Sequence, residues 1–439
     1  MSQITIEGGQ PLVGTVTVSG SKNSALKLIA AAIFSNEDVI LDNVPNIKNV
    51  TNDLEIIKAL GGKVEWIDDN KLLINGGGIN TYEIPQELGE KYRTAALHGA
   101  ALAFRFGKVK VPFPGGCKIG PRPMNRWVET WKALGFKVDS SEEGFYLEAN
   151  NLSGANINFK INTHMGTDVA ILFSSFVPGE TVISNAAEEP EIDDLIDLIN
   201  VLGGNVVREE GRKIRVTGVQ QFNGGEFKVQ NDRNEVVTYA IAALVTNGNI
   251  VIKGANREHL LAFVNVLSKM NAKFEINEEE MRVWRTAEEL MPVDVTTAPY
   301  PGFMTDWQPL ITLLLTQTQG DSLVHDTVYW DRFDYIRELN RMGSKIELVS
   351  PTSQNLDVIV SDDSYDFEKQ GEPLTIAKIQ GGKSLRGSKL QIQDLRAGAA
   401  LVLAALAAKG KSEIIGFENV ERGYENFVEK LTALGALIK

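Results

Sequence analysis

Two phrases of hydrophobic and polar positions recur along this chain. The first is the end of an amphipathic helix, an apolar residue, a Gly or other small residue, and then strand-like alternation. It reads ALGGKVEWI around Leu60, ALGFKVDSS around Leu134, VLGGNVVRE around Leu202, KMNAKFEIN around Met270, RMGSKIELV around Met342 and ALGALIK around Leu434. The copies stand about 70 residues apart, with the last interval stretched to about 90, a spacing too long for a solenoid and suited to a small βαβαββ unit. One Leu-Gly after a helix is an ordinary left-handed C-cap. Six in phase with a second phrase predict a true repeat.

The second phrase is an Ala- and Leu-rich helix, a turn, and a β-branched strand. NSALKLIAAAIFSNEDVIL, RTAALHGAALAFRFGKVKV, DVAILFSSFVPGETVIS, EVVTYAIAALVTNGNIVI, DWQPLITLLLTQTQGDSLV and LRAGAALVLAALAAKGKSEII all fit it. These helices are apolar nearly all round, which predicts burial rather than a surface position. Three units sharing such helices close one domain, and two domains account for 439 residues. The predicted class is α/β, with residues 21–231 as one domain and residues 1–20 plus 232–439 as the other. The junctions fall near Gly20 and near Gln230–Arg233.

Composition narrows the function. A formal net charge of −13 removes broad attraction to nucleic acid or an anionic membrane, so any anion has to be held by a local cationic pocket. One cysteine, Cys117, rules out an intrachain disulfide. MSQITIEGGQ lacks a basic region followed by an apolar run, and stretches such as Ala397–Ala408 are too short to span a bilayer. A cytoplasmic location without membrane insertion is the expectation.

Several segments break the repeat, and function is expected at such breaks. PFPGGCKIGPRP, from Pro112 to Pro123, carries Cys117 in an irregular loop between Gly116 and Lys118, with Arg122 close in sequence. That setting favours a thiol active in proton exchange and a loop that acts as a lid, although a lone Cys is also a common small hydrophobe. SGSKNSAL puts Lys22 and Asn23 where a Gly/Ser turn feeds a buried helix, which suits either an anion site or a plain N-cap. Arg93, Asp306, Arg332, Asp394, Arg396 and Arg422 lie at predicted helix starts in matching phases of different repeats. Arginines brought together there would clamp phosphate or carboxylate. No phosphate-loop or dinucleotide motif occurs, and the four histidines lack metal spacing, so neither metal nor cofactor is predicted.

In SGSKN, PGGCxIGxRP, NAAxEPEI (Asn185–Ile192), DRxE (Asp232–Glu235), TAPxPxFxTDxQ (Thr297–Gln308), DLRAxAxLVLA from Asp394 and RGYE at Arg422, the sequence resembles the enolpyruvyl transferase family over its whole length. Within it, the likeness is to the branch whose acceptor is UDP-N-acetylglucosamine, in peptidoglycan precursor synthesis. The resemblance implies two inside-out α/β barrel domains, each of three βαβαββ repeats with pseudo-threefold symmetry, closing on substrate in a cleft. It also implies roles. Lys22, Asn23, Arg122 and Arg422 hold phosphoenolpyruvate. Asn23, Arg93, Arg122, Pro123, Asp306 and the Val328 backbone hold the UDP-sugar. Cys117 is the proton donor, Asp306 the base, Lys22 and Arg396 complete the catalytic set, and Arg332 and Asp394 support it. Transfer of this kind needs an acid for the methylene carbon, cations for phosphate and a base at the sugar hydroxyl. Asn125, Trp127, Asn162 and His164 depart from the family pattern at positions that help hold uracil or diphosphate. Arg126 and His164 are the candidates to replace the missing lysine charge. A different hydroxyl acceptor is therefore the alternative, and an idle binding homologue would have no need of acid, base and clamp together.

Overall fold

Residues 2–113, 124–361 and 365–439 are described by the computed structural model. Each Leu-Gly phrase caps a helix. Leu60, Leu134, Leu202, Met270, Met342 and Leu434 are the C-cap residues of Lys48–Ala59, Asn125–Ala133, Pro190–Val201, Leu261–Lys269, Tyr335–Arg341 and Phe427–Ala433. All six cap side chains are buried. The next residue has positive φ in every copy, at Gly61, Gly135, Gly203, Asn271, Gly343 and Gly435, and Asn is among the few non-Gly types that enter this region readily. The left-handed residue turns the chain out of the helix while the apolar cap anchors it to the core.

The strand after each cap belongs to a sheet of constant order: first hairpin strand, second hairpin strand, an antiparallel neighbour, and a parallel edge. Lys63–Asp68 with Lys71–Asn75, Phe136–Ser140 with Gly144–Ala149, Asn205–Glu209 with Lys213–Thr217, and Lys273–Ile276 with Glu280–Trp284 are hairpins joined by two or three residues. In the sixth sheet the last strand, Leu437–Ile438, pairs with Gln3–Gly8 from the start of the chain. The parallel edge of the sheet containing Lys108–Pro112 shrinks to a single bridge, Glu83 to Lys110. The fifth hairpin differs most. Lys345–Val349 and Ile376–Gln380 pair in register, but residues 350–375 intervene, and this is the source of the stretched last interval.

The chain divides into two compact units at Ser19/Gly20 and at Gln230/Asn231. The unit from Gly20 to Gln230 has three sheets around the buried helices Lys22–Ala32, Gly99–Phe106 and His164–Ser174. The other has three sheets around Arg233–Val245, Gln308–Leu315 and Leu395–Ala407, and these three helices all pack on one another. Every residue of Arg233–Val245 is buried, as an apolar surface on all sides demands. Helices therefore lie inside and sheets outside, the two-domain α/β fold expected from the repeats. The acidic stretches Glu209–Arg212 and Asn277–Met281 fall at hairpin ends.

Candidate active site

Each unit carries its own share of the predicted residues. In the unit containing the C-terminus, Asp306 sits in a short 3-10 turn, Thr305–Trp307, that leads into the buried helix Gln308–Leu315. Its Oδ1 accepts from Arg332 Nη2 at 2.9 Å and its Oδ2 from Arg396 Nε at 3.4 Å. The side chains of Arg332 and Arg396 are 4 % and 2 % exposed, whereas Asp306 is 24 % exposed. The carboxylate thus faces outward on two buried cations. Arg332 Nη1 also donates to Thr305 Oγ1 at 2.9 Å. Arg396 lies over the Tyr424 ring at 5.2 Å.

Burial alone would lower both arginine pKa values, but the surrounding charges outweigh it and raise them. For Arg332 the opposing groups are Asp306, Asp394 and Asp326; for Arg396 they are Tyr424, Asp232 and Asp306. Both guanidinium groups stay charged. Asp394 caps the helix Leu395–Ala407 by accepting from Ala397 N at 2.9 Å, which orients the turn that presents Arg396.

Sequence reading missed the organiser of this cluster, Asp326. It is fully buried and accepts from Thr297 Oγ1, Thr305 Oγ1, Val328 N and Tyr329 N at 2.7–3.0 Å. The Val328 N–H is therefore already engaged. Arg332 and Arg422 do not begin helices as expected. They lie in the non-helical chain before Tyr335–Arg341 and Phe427–Ala433. Arg422 is half-buried.

In the unit from Gly20 to Gln230, Gly20 leaves no room for a side chain, since a Cβ there would stand 1.7 Å from Asn43 O. Ser21 caps the helix that follows, and Lys22 and Asn23 form its first turn, partly exposed. Asp53 is fully buried with Thr94 Oγ1 3.3 Å away. Burial pushes its carboxyl well above the usual range, against the weaker pull of Thr94 and the Lys22 charge. Arg93 opens the turn Arg93–His98 and stacks over Trp127 at 4.4 Å. Trp127 is 1 % exposed, so this departure is a core residue that supports Arg93 rather than an open pocket wall. Asn125 and Arg126 lie in the first turn of Asn125–Ala133.

The other departures are also tied down. Asn162 Nδ2 donates to the carbonyls of Asn185 and Ala186 at 3.2 and 2.9 Å. His164 Nε2 lies 2.7 Å from Lys27 Nζ, which also meets Asp168 Oδ1 at 2.6 Å. An ammonium only donates, so Nε2 accepts and the ring proton is placed on Nδ1. Lys27 brings a cationic side chain to this place. Lys27 was absent from the sequence-based candidates. Its signal was a charged residue inside an otherwise apolar helix.

Cys117, Arg122 and Pro123 lie outside the described residues. Among the described residues no cluster of three His, Cys, Asp or Glu could hold a metal, and no helix is long and apolar enough to cross a membrane.

Comparison with known proteins gives a consistent picture. The family profile of EPSP synthase (3-phosphoshikimate 1-carboxyvinyltransferase) matches residues 6–431. UDP-N-acetylglucosamine 1-carboxyvinyltransferase 1 of Legionella pneumophila is 37 % identical over 99 % of this chain and 82 % of its own. That of Carboxydothermus hydrogenoformans is 37 % identical over 100 % of this chain and 98 % of its own. Among solved structures, the enolpyruvyl transferase NikO from Streptomyces tendae superposes with a TM-score of 0.86 at 22 % identity, covering 100 % of this chain and 98 % of that one. EPSP synthase from Acinetobacter baumannii gives 0.71 at 15 %, covering 100 % and 99 %. At these identities the two structures establish the fold alone.

Proposed function

Because the chain belongs to the EPSP synthase family of enolpyruvyl transferases, we propose that it moves the enolpyruvyl group of phosphoenolpyruvate to the 3-hydroxyl of UDP-N-acetylglucosamine, releasing phosphate. The observation that carries this reading is Asp306, a partly exposed carboxylate held by two buried arginines. A general base must be fixed in place yet open to its substrate, and this one is both.

The remaining roles follow the chemistry. Asp306 takes the proton of the attacking hydroxyl, and Arg332 and Arg396 fix its orientation. Cys117 gives a proton to the methylene carbon of phosphoenolpyruvate, which makes C2 electrophilic. The sugar oxygen bonds to C2; the Cys117 thiolate then takes a proton back from C3 as the phosphate leaves with the C2–O electron pair, and the double bond re-forms. Lys22, Asn23, Arg122 and Arg422 hold the phosphate and carboxylate, with Arg396 neutralising developing charge. Asn23, Arg93, Arg122, Pro123 and Val328 hold the UDP-sugar, Val328 through its carbonyl because its N–H is engaged. Asp394 supports Arg396 through the cap. Neither metal nor cofactor is needed for these steps. The reaction places the protein in peptidoglycan precursor synthesis, hence in cell-wall growth and division, and in the cytoplasm where both substrates occur.

A second acceptor is favoured by one observation: Asn162 and His164 are engaged by the protein itself. Incubation with phosphoenolpyruvate and a panel of hydroxyl acceptors, with released phosphate measured, tests both readings. Phosphate release with UDP-N-acetylglucosamine and an enolpyruvyl ether product is the expected outcome. Release with another acceptor alone would replace the acceptor but keep the chemistry, and no release with any would overturn the reaction.

A further inference from the structure

The connection at residues 350–375 stands where the other hairpins have two or three residues. Tyr365, Gln370, Pro373 and Leu374 of this connection, with helix Tyr335–Arg341 and the start of Leu395–Ala407, line an open cavity of about 810 Å³ within the C-terminal unit. This lies in the range of roughly 300–1,000 Å³ typical of small-molecule sites. Tyr365 and Leu374 from the connection form one wall, and Trp330 faces Tyr365 edge-on with ring centroids 5.1 Å apart.

The polar lining is acidic. Asp331 and Asp334 are exposed, and Glu338, 2 % exposed, also lines the cavity. Glu338 Oε2 is satisfied by Arg341 Nη1 at 2.7 Å and Gln391 N at 3.3 Å. Its Oε1 has no hydrogen bond among the described residues, only a 3.4 Å ion-pair contact with Arg337, whose side chain is 70 % exposed. Of the two cations in the lining, Arg332 is taken by Asp306, and Arg337, largely exposed, reaches Glu338 only through that 3.4 Å contact. Partial burial, and to a lesser extent the neighbouring Asp334, raises the Asp331 carboxyl above its ordinary value.

We propose that this cavity is a binding site for a small organic cation with an aromatic or alkyl body, its amine directed to Glu338 and its body set between Trp330, Tyr365 and Leu374. A buried carboxylate oxygen lacking a hydrogen bond recovers one from an ammonium donor, and electron-rich ring faces favour the same charge. An anion of equal size would meet the carboxylates instead. Arg332 and Asp394, which support the proposed active site, also line this cavity.

Calorimetric titration with two probes of matched shape, phenethylamine and 3-phenylpropionate, tests the assignment on the full chain. The amine should bind, and the carboxylate should bind at least tenfold more weakly. Glu338→Gln should reduce amine affinity by fivefold or more, and so should Tyr365→Ala, which acts on the wall without touching the charge. Equal affinity for the two probes, an amine affinity unchanged in both variants, or no amine binding at millimolar concentration would overturn the site.

Discussion

Replacing Lys27 by Met isolates the buried charge cluster in the Gly20–Gln230 unit. Lys27 and Asp168 are 2 % and 6 % exposed, so neither charge has water to fall back on. Lys27→Met keeps the length and removes the ammonium, leaving Asp168 as an uncompensated buried carboxylate beside His164. Removing one partner of such a pair costs about 3–5 kcal/mol. For a unit of this size each kcal/mol moves the thermal midpoint by roughly 2–4 °C, so the drop should be about 6–20 °C. Scanning calorimetry at pH 7 measures it. A second variant, Lys27→Met with Asp168→Leu, replaces both charges by apolar groups and should regain most of the loss, because the desolvation cost disappears with the charges. A single variant within about 1 kcal/mol of the parent would refute the reasoning, since it would mean that Asp168 is solvated or protonated at no cost. A double variant as unstable as the single would refute it too, by showing that packing, not charge, set the loss.

Three further outcomes follow from the same structure. Asp306→Asn should lower turnover by about 10²–10⁴-fold, the usual worth of a general base, measured as phosphate release, with the Km for phosphoenolpyruvate little changed. Asp194, whose carboxyl burial pushes up to about 6, binds a proton more tightly folded than unfolded, so stability should fall as pH rises from about 4 to 6 through this group. Asp194→Asn should remove that slope and raise the denaturation midpoint at pH 7, read from urea titrations at pH 5 and 7. Gly20→Ala forces a Cβ against the Asn43 carbonyl at 1.7 Å and should abolish soluble folded protein or displace the turn that presents Lys22, seen by circular dichroism.

The repeat was legible because its marks are local. An apolar cap followed by a residue able to take positive φ is a property of two neighbours, and all six pairs were readable before any tertiary contact was known. The buried helices were legible for a similar reason, having no polar face. Asp306, Arg332 and Arg396 could be proposed separately, but their convergence depends on side chains 26 and 90 positions from Asp306, which no local pattern records. Lys27 is the same case: its partners are 137 and 141 positions away. Asp326 left no mark because its work is done on backbone amides and threonines, residues common in any turn. The stretched last interval was visible, but its meaning required seeing that residues 350–375 replace a tight hairpin turn.

Reaction in deuterium oxide with phosphoenolpyruvate and UDP-N-acetylglucosamine tests the central claim of addition followed by elimination. Protonation of C3 and later loss of a C3 proton should leave deuterium in the vinyl group of the product, with one phosphate released per ether formed. Mass spectrometry of the product and of recovered phosphoenolpyruvate reads both quantities. A product formed with no deuterium at C3, or phosphate released without an ether product, would contradict the account.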